Sequence, residues 1–267
     1  MMTYLAFFRI RFSNSLQYRA AALAGMATQF AWGFMEILAF AAFYRADPAA
    51  FPMEFSQTVT YIWMQQAFLA LFMLWFFEME IFNSITSGGI AYELARPVDL
   101  YGRWFCQTAA NRLAKAALRC IPILIIALLV PEPFRMSLPQ NVGHFLLFLV
   151  SAALSLGVVV SFSMLIYIST FYTLSPMGPR IISAVLGDFM AGAIIPLPFF
   201  PEPFRGIAEV LPFAAMQNIP LRIYSGNIAG PDALWGIGLQ VFWLGMLVLF
   251  GRLLMKNALG KVVVQGG

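Results

Sequence analysis

Two acidic residues stand inside long apolar stretches of this sequence, where an ionised side chain is costly. Glu36 is the one charged residue of Ala20–Tyr44, and Asp188 is the one charged residue of Ile181–Phe199. Insertion scales put the cost of an ionised side chain at the bilayer centre at about 2.5–3.5 kcal/mol, so such groups normally face a cavity or a polar partner. We therefore expect both acids to line the path of a transported substrate. The alternative is that each acid forms a structural hydrogen bond between helices.

The residue types that metal binding and covalent catalysis require are nearly missing. His144 is the one histidine, and Cys106 and Cys120 are the two cysteines. These numbers exclude a multi-histidine metal centre, an iron–sulfur site and a disulfide framework within the chain. No nucleophile and base occur in a recognisable arrangement. We therefore expect no catalytic residues, no metal site and no cofactor in this chain.

The sequence also lacks a phosphate-binding loop of the form GxxxxGK[ST]. In such a loop the glycines bring backbone N–H groups to the phosphates, the lysine reaches the terminal phosphates and the hydroxyl binds magnesium. Gly260-Lys261 is the one Gly-Lys pair, and Val262 stands where Ser or Thr is required. If ATP drives this protein, ATP and magnesium are therefore bound by another chain.

The composition indicates a membrane protein made of helices. Of the 267 residues, 61% are hydrophobic and 10% are charged, and the mean hydropathy is +0.80. Soluble domains carry roughly 25% charged residues, so this chain has too few charges to cover a water-exposed surface. The net charge of +4 does not indicate nucleic-acid binding, because the basic residues are scattered through apolar sequence. We predict an all-α membrane protein.

Six stretches are long and apolar enough to be membrane spans, which need about 20 such residues each. They run over about Ala20–Tyr44, Gln57–Phe77, Trp104–Pro131, Phe145–Ser175, Ile181–Phe199 and Ala233–Phe250. Before them, Leu5, Phe8, Phe12 and Leu16 recur at helical spacing. This spacing predicts an N-terminal helix that lies in the membrane interface, although the same residues suit an extension of the first span.

The basic residues fix the predicted orientation. Six spans place both termini on one side of the membrane. Twelve of the sixteen basic residues fall on that side, and Arg45, Arg135, Arg205 and Arg222 fall on the other. Because cytoplasmic loops carry an excess of Lys and Arg, we predict that both termini are cytoplasmic.

The inner connection of residues 83–103 has the pattern of a short amphipathic helix. Ser87 is a candidate cap, Ile90 and Leu94 share one face, and Pro97 is suited to the first position of the next helix. Charged residues lie at the rim of this face. Such a helix on a membrane surface suits insertion into the groove of a partner protein. The alternative is a solvated loop that only reverses the chain.

The outer connection, Leu197–Asp232, is unusually apolar for a loop. Six prolines alternate there with large apolar side chains. A water-exposed loop would not carry so many apolar groups. We predict short re-entrant helices in the outer leaflet, with their backbone groups covered by protein.

Two of these segments resemble a known family. The stretch GGIAYELARPVDLYG resembles the coupling-helix segment of ABC exporter permeases of the type-2 class. The stretch PLPFFPEPFRGIAEVLPFAAMQNIPLRIYSG is similar to a branch of those permeases that stands near antibiotic-export proteins. The resemblance covers the whole chain, and it implies a single permease domain over residues 1–267 with six spans, a cytoplasmic coupling helix and re-entrant outer helices. It also implies that an ATPase is contacted by Glu93, Leu94, Arg96, Pro97, Val98 and Asp99.

The resemblance further implies a function and partners. The chain would be the membrane subunit of an ATP-driven exporter in the bacterial inner membrane, surrounded by lipid. It would work with cytoplasmic ATPase subunits and a second permease, with a heterodimer favoured and a homodimer possible. Two other classes remain open at this point: a proton-coupled secondary transporter that uses Asp188, and a membrane-embedded enzyme or assembly scaffold.

Overall fold

Helices make up most of the part of the chain that the computed structural model describes, which is residues 2–17, 19–47 and 51–261. Over these ranges the structure contains no strand. In chain order the α-helices are α1 (Met2–Ser15), α2 (Arg19–Ala46), α3 (Phe55–Ala67), α4 (Leu69–Phe72), α5 (Met79–Thr86), α6 (Ile90–Leu94), α7 (Leu100–Leu129), α8 (Val142–Thr173), α9 (Met177–Met190), α10 (Phe204–Val210), α11 (Pro212–Met216), α12 (Asn218–Tyr224) and α13 (Gly230–Leu259).

Among the described residues, three helices are both long and apolar enough to cross a membrane. The qualifying segments are Gly25–Ala46 in α2, Val142–Thr173 in α8 and Gly230–Leu259 in α13. Helix α7 has 30 residues and the necessary length, but its internal cations lower its hydropathy. The structure thus supports a multi-span helical protein, and the number of six spans stays a prediction.

The predicted second span, Gln57–Phe77, is not one continuous helix. Helix α3 ends at Ala67, α4 is a single turn, and the chain runs without helical structure from Met73 to Glu78. A break of this kind leaves backbone carbonyls without helical partners. The guanidinium of Arg112, which is 1% exposed, supplies hydrogen bonds to several of them. The break is therefore stabilised from α7.

The predicted fifth span, Ile181–Phe199, also differs from the structure. Helix α9 has 14 residues, about 21 Å at 1.5 Å per residue, and it ends at Met190. Gly192 then adopts a φ of +80°, a left-handed conformation that glycine adopts without steric cost. A turn and a single 3-10 turn over Leu197–Phe199 complete the segment.

Two details of the inner connection correct the sequence analysis. The prediction that Pro97 begins the next helix is wrong, because α7 begins at Leu100 and Asp99 is its N-cap, accepting a 2.7 Å hydrogen bond from the backbone N–H of Gly102. The prediction that Ser87 caps α6 is also wrong. Its hydroxyl donates instead to the carbonyl of Asn83 at the end of α5. The carboxylate of Asp99 satisfies a free N–H of α7, which a proline ring cannot do.

Helix α1 lies along α7, and polar side chains join the two elements to their neighbours. Ser15 donates a 2.8 Å hydrogen bond to Asn111 of α7. Arg11 donates two hydrogen bonds to Glu80 of α5. Leu5 and Ile10 stay largely exposed on the opposite side of α1. This exposed apolar side is the arrangement expected of a helix in a membrane interface.

The outer segment contains the predicted short helices, and α11 and α12 are almost wholly buried. A buried amide ties this region to the long helices. Gln240 of α13 donates to the carbonyl of Ala215 at 3.0 Å and to the hydroxyl of Ser155 of α8 at 2.8 Å. The backbone of these short helices is thus covered by protein, and their re-entry into the outer leaflet stays a prediction.

Candidate functional site

Glu36 and Asp188, which are 152 positions apart in the sequence, line the same cavity. Its volume is about 720 Å³. The walls come from α2, α3, α4, α7 and α9 and from the non-helical segment after α4. Most of the lining is apolar, and the polar groups are few. The cavity therefore brings together the two acids that the sequence analysis singled out.

One face of α2 forms the longest wall. Residues of this face recur every three or four positions, which is the period of a helix face, from Gly25 near the start of the helix to Ala39. Gly33 lets α3 approach closely, since a Cβ there would lie 2.8 Å from the Cγ atom of Gln66. Gln66 and Glu36 both line the cavity at this contact. The α2–α3 contact thus positions the Glu36 carboxylate at the cavity.

Two acceptor oxygens at this wall lack a hydrogen-bond partner among the described residues. They are the Oε1 atoms of Glu36 and of Gln29, which lie about two helix turns apart on α2. Gln29 is only 6% exposed. Most buried polar groups in proteins are paired, so an unpaired one calls for an explanation. Each atom is therefore free to accept a hydrogen bond from a group outside the described residues.

Asp188 is held at the opposite wall by the break after α4. Its carboxylate interacts with the backbone N–H of Leu74, and the side chain of Leu74 packs directly on Gly187. Arg119 is the one cation of the lining. Its guanidinium lies over Gly25, and it forms no ion pair with any acid in the described part of the chain.

A buried amide cluster borders the cavity between α3 and the turn after α9. Gln65 donates a 2.7 Å hydrogen bond to the carbonyl of Ala193, and its own carbonyl accepts from Gln217 at 3.1 Å. The hydroxyl of Tyr61 donates to the carbonyl of Gly192 at 3.1 Å. These contacts join α3, the turn after α9 and the short outer helices.

The six residues predicted to contact an ATPase occupy different environments around α6. Leu94, Arg96 and Pro97 are exposed, and Val98 is partly buried. Asp99 is exposed, but its carboxylate caps α7. Glu93 points into its own chain, where it accepts a 2.8 Å hydrogen bond from the indole of Trp104.

Glu93 also pairs with Arg103 at 3.1 Å, and both side chains are largely shielded from solvent. Glu93 therefore anchors α6 to α7. Tyr92, which is 81% exposed, is the most prominent apolar group of α6, and sequence reasoning missed it. The signal was an aromatic residue midway between Ile90 and Leu94, the two apolar residues that define the face of the predicted amphipathic helix.

A family model described as ABC-2 family transporter protein matches residues 30–266, which is most of the chain. The chain belongs to this family. The family predicted from the resemblance of the two segments is thereby confirmed. This ABC-2 chain is a membrane component of a transporter, and no curated protein matches it.

The ABC-2 chain contains, where α1, α5 and α7 meet, a polar network that sequence reasoning also missed. Glu80 accepts from Gln107 at 3.0 Å as well as from Arg11, and Glu78 accepts from Asn111 at 2.7 Å. The hydrogen bond from Arg11 lowers the pKa of the Glu80 carboxyl below its ordinary value, against the opposing effect of partial burial. Lys115 of α7 faces Glu78 at 3.7 Å. The signal in the sequence was the four-residue spacing of positions 107, 111 and 115, which places them on one face of α7.

Proposed function

We propose that this chain is the membrane-spanning permease subunit of an ATP-driven ABC exporter. It crosses the bacterial inner membrane six times with both termini in the cytoplasm. The observation that carries the proposal is the mostly apolar cavity with two acidic side chains between α2, α4 and α9 in a chain of the ABC-2 family. Glu36 and Asp188 form its charged walls, and both belong to the translocation pathway. A cavity of this size holds a small organic molecule.

The pathway is completed by a second permease. Trp32 (61% exposed), Met35 and Trp75 border the cavity and are exposed, so one chain covers it on some sides only. A second permease placed against α2 and α9 covers the remaining side. The family resemblance favours a heterodimer, and a homodimer is compatible with the same surface.

Cytoplasmic ATPase subunits bind ATP and magnesium, because permeases of this family work with ATPase subunits. The ATPase contacts the exposed part of α6 and the turn after it, with Leu94, Arg96 and Pro97 on the contacting surface and Val98 and Asp99 beside them. Glu93 transmits the movement of α6 to α7 through Trp104 and Arg103.

Helix α7 then reaches the cavity through Arg112. The guanidinium of Arg112 binds the carbonyls of Met73 and Phe76, and the segment that contains them touches Asp188 at Leu74. A small movement of α7 therefore displaces the wall of the cavity. This sequence of contacts supports ATP-driven switching of access from the inner to the outer side.

The proposal is tested on the tagged chain expressed in its native host. Purification in mild detergent is expected to retain a chain with a GxxxxGK[ST] loop and ATPase activity, identified by mass spectrometry. The complex in proteoliposomes is then expected to move substrate when ATP is added in the presence of an uncoupler. A purified chain that is free of any ATPase and that transports only with a proton gradient would contradict the proposal and support a secondary transporter.

A further inference from the structure

Two hydrogen-bond acceptors of the cavity lining have no donor in the described part of the chain. The Oε1 atoms of Glu36 and Gln29 are buried and unpaired within the described residues. Burying an acceptor without a partner costs roughly 1–3 kcal/mol in protein mutational data. A ligand that brings N–H donors into the cavity removes this cost for each acceptor it reaches. A ligand with acceptors alone does not.

The charged side chains of the cavity also favour a ligand that carries donors over a ligand that carries acceptors alone. Its lining contains two carboxylates, Glu36 and Asp188, and one guanidinium, that of Arg119. Arg119 lies beside Gly25, whereas Glu36 lies eleven positions further along α2, about 16 Å at 1.5 Å per residue. The positive charge of the lining therefore lies at one end of the cavity. The rest of the lining contains the two acids and no basic residue.

Two indole rings complete the site. Trp32 and Trp75 both line the cavity and are substantially exposed. An aromatic face attracts a cation placed over it, and tryptophan does so most strongly. The surrounding apolar side chains suit the hydrocarbon part of the same molecule, and the exposed edge of the cavity lets it enter from the side.

We infer that the cavity binds amphiphilic organic cations that carry N–H donors, such as aromatic or long-chain amines. The inference rests on the proposed function, because it names the substrate class of the proposed pathway. The cationic end binds between Glu36, Asp188 and the amide oxygen of Gln29. The apolar part lies against Trp32 and Trp75. Anionic amphiphiles of similar size are disfavoured by both carboxylates.

The experiment uses the full chain in nanodiscs of zwitterionic lipid, without ATPase. Ethidium, an aromatic cation with two amino groups, and anilinonaphthalene sulfonate, an aromatic anion, are titrated against it, with fluorescence as the readout and empty nanodiscs as the blank. We expect ethidium to bind and the anion to bind at least about tenfold more weakly, the factor that about 1.4 kcal/mol produces. Equal affinity for the two probes, or no binding of ethidium, overturns the inference.

Variants test whether the acids cause the preference. Glu36→Gln and Asp188→Asn are each expected to weaken ethidium binding about tenfold, a loss of about 1.4 kcal/mol. Glu132→Gln is the matched control, because Glu132 is an exposed acid outside the cavity. Unchanged affinity in both cavity variants overturns the inference.

A third variant tests whether misfolding explains the weaker ethidium binding of the other two. Arg119→Gln removes the one cation of the cavity lining and is expected to strengthen ethidium binding about threefold or more, because like charges repel. A damaged fold does not produce tighter binding. Weaker binding by Arg119→Gln in a correctly inserted protein contradicts the proposed charge preference.

The two sets of experiments distinguish a failure of the inference from a failure of the proposed function. Acid-dependent ethidium binding without ATP-driven transport in the complex would leave the ligand class standing and remove the exporter. ATP-driven transport by a protein that shows no acid-dependent preference for ethidium would leave the exporter standing and remove the ligand class.

Discussion

The guanidinium of Arg112 lies 2.7 Å from the carbonyl oxygen of Phe76, a residue 36 positions earlier in the chain. The same side chain donates to the carbonyl of Met73 at 2.8 Å, so one buried cation holds the segment in which the second predicted span stops being helical. Carbonyl oxygens carry partial negative charge, and several of them together can compensate a buried guanidinium. The cavity wall at Asp188 depends on this segment through Leu74.

Arg112→Gln is expected to destabilise the protein. The shorter amide cannot reach carbonyls on both sides of the segment, and each carbonyl left unpaired costs roughly 1–3 kcal/mol. The melting temperature of the purified chain in detergent should fall clearly. Arg135→Gln is the control, since Arg135 is exposed on an outer loop and should change the melting temperature little. Equal melting temperatures for Arg112→Gln and wild type would show that Arg112 does not stabilise the break.

Leu94→Asp is expected to abolish ATPase binding without unfolding the permease. Leu94 is exposed, so the substitution leaves the permease core intact, but it places a charge in the proposed apolar contact. ATPase retention during purification is the measurement, and the melting temperature shows whether the fold survives. Retention equal to that of wild type would place the contact elsewhere.

Glu93→Gln is expected to impair transport and to leave ATPase binding intact. The amide can still accept a hydrogen bond from Trp104, but the ion pair with Arg103 is lost. We expect the ATPase to remain bound while ATP hydrolysis proceeds with reduced transport. Normal transport per ATP hydrolysed in Glu93→Gln would exclude Glu93 as the link between α6 and α7.

Docking of α1 is expected to depend on pH through Glu80. The contact with Arg11 lowers the pKa of Glu80 below its ordinary value of 4.5. A lowered pKa in the folded state stabilises the contact above the ordinary pKa, and the stabilisation is lost as the pH falls through the lowered value. Fluorescence anisotropy of a dye on Ser13→Cys, in a chain without other cysteines, should therefore decrease on acidification below about pH 4.5.

The control for this experiment is the same labelled chain with Glu80→Gln. It lacks the titrating group, so its anisotropy should be low and should not change over the same pH range. A pH profile identical to that of the parent chain would exclude Glu80 as the titrating group.

The orientation is tested by labelling with a membrane-impermeant thiol reagent. Asp232→Cys and Arg96→Cys both place a thiol at an exposed position, one on the predicted outer side and one on the predicted inner side. In intact cells, in a background without Cys106 and Cys120, the reagent should label Asp232→Cys and leave Arg96→Cys unlabelled. The reverse result would overturn the predicted topology and the ATPase contact with it.

The sequence allowed the membrane class, the family and the two cavity acids to be predicted, because each follows from local composition or a local motif. A lone acid such as Glu36 is conspicuous in an apolar run whatever the tertiary structure. The break after α4 was missed because residues 73–77 are continuously apolar and contain neither glycine nor proline. Its cause, Arg112, comes from a distant part of the chain. Gln29 was missed for the same reason, since an unpaired amide is visible only when its neighbours are known.

Asp188→Asn separates the ATP-driven exporter from the proton-coupled carrier. In the exporter, the carboxylate contributes to substrate binding, so the amide raises the substrate concentration needed for half-maximal efflux. It leaves ATP-driven efflux at high substrate, because no proton crosses with the substrate. In a proton-coupled carrier the same substitution removes the ion site, and gradient-driven transport stops at every substrate concentration.

The measurement is efflux from cells in which an uncoupler collapses the proton gradient while ATP is maintained. We expect wild-type efflux to continue under these conditions, and Asp188→Asn to approach the same maximal rate as the substrate concentration rises. The Oε1 atom of Glu36 stays available to the ligand in this variant, which is why binding is weakened and not abolished. Wild-type efflux that stops with the uncoupler would exclude ATP as the energy source and would make Asp188 the first candidate for a proton site.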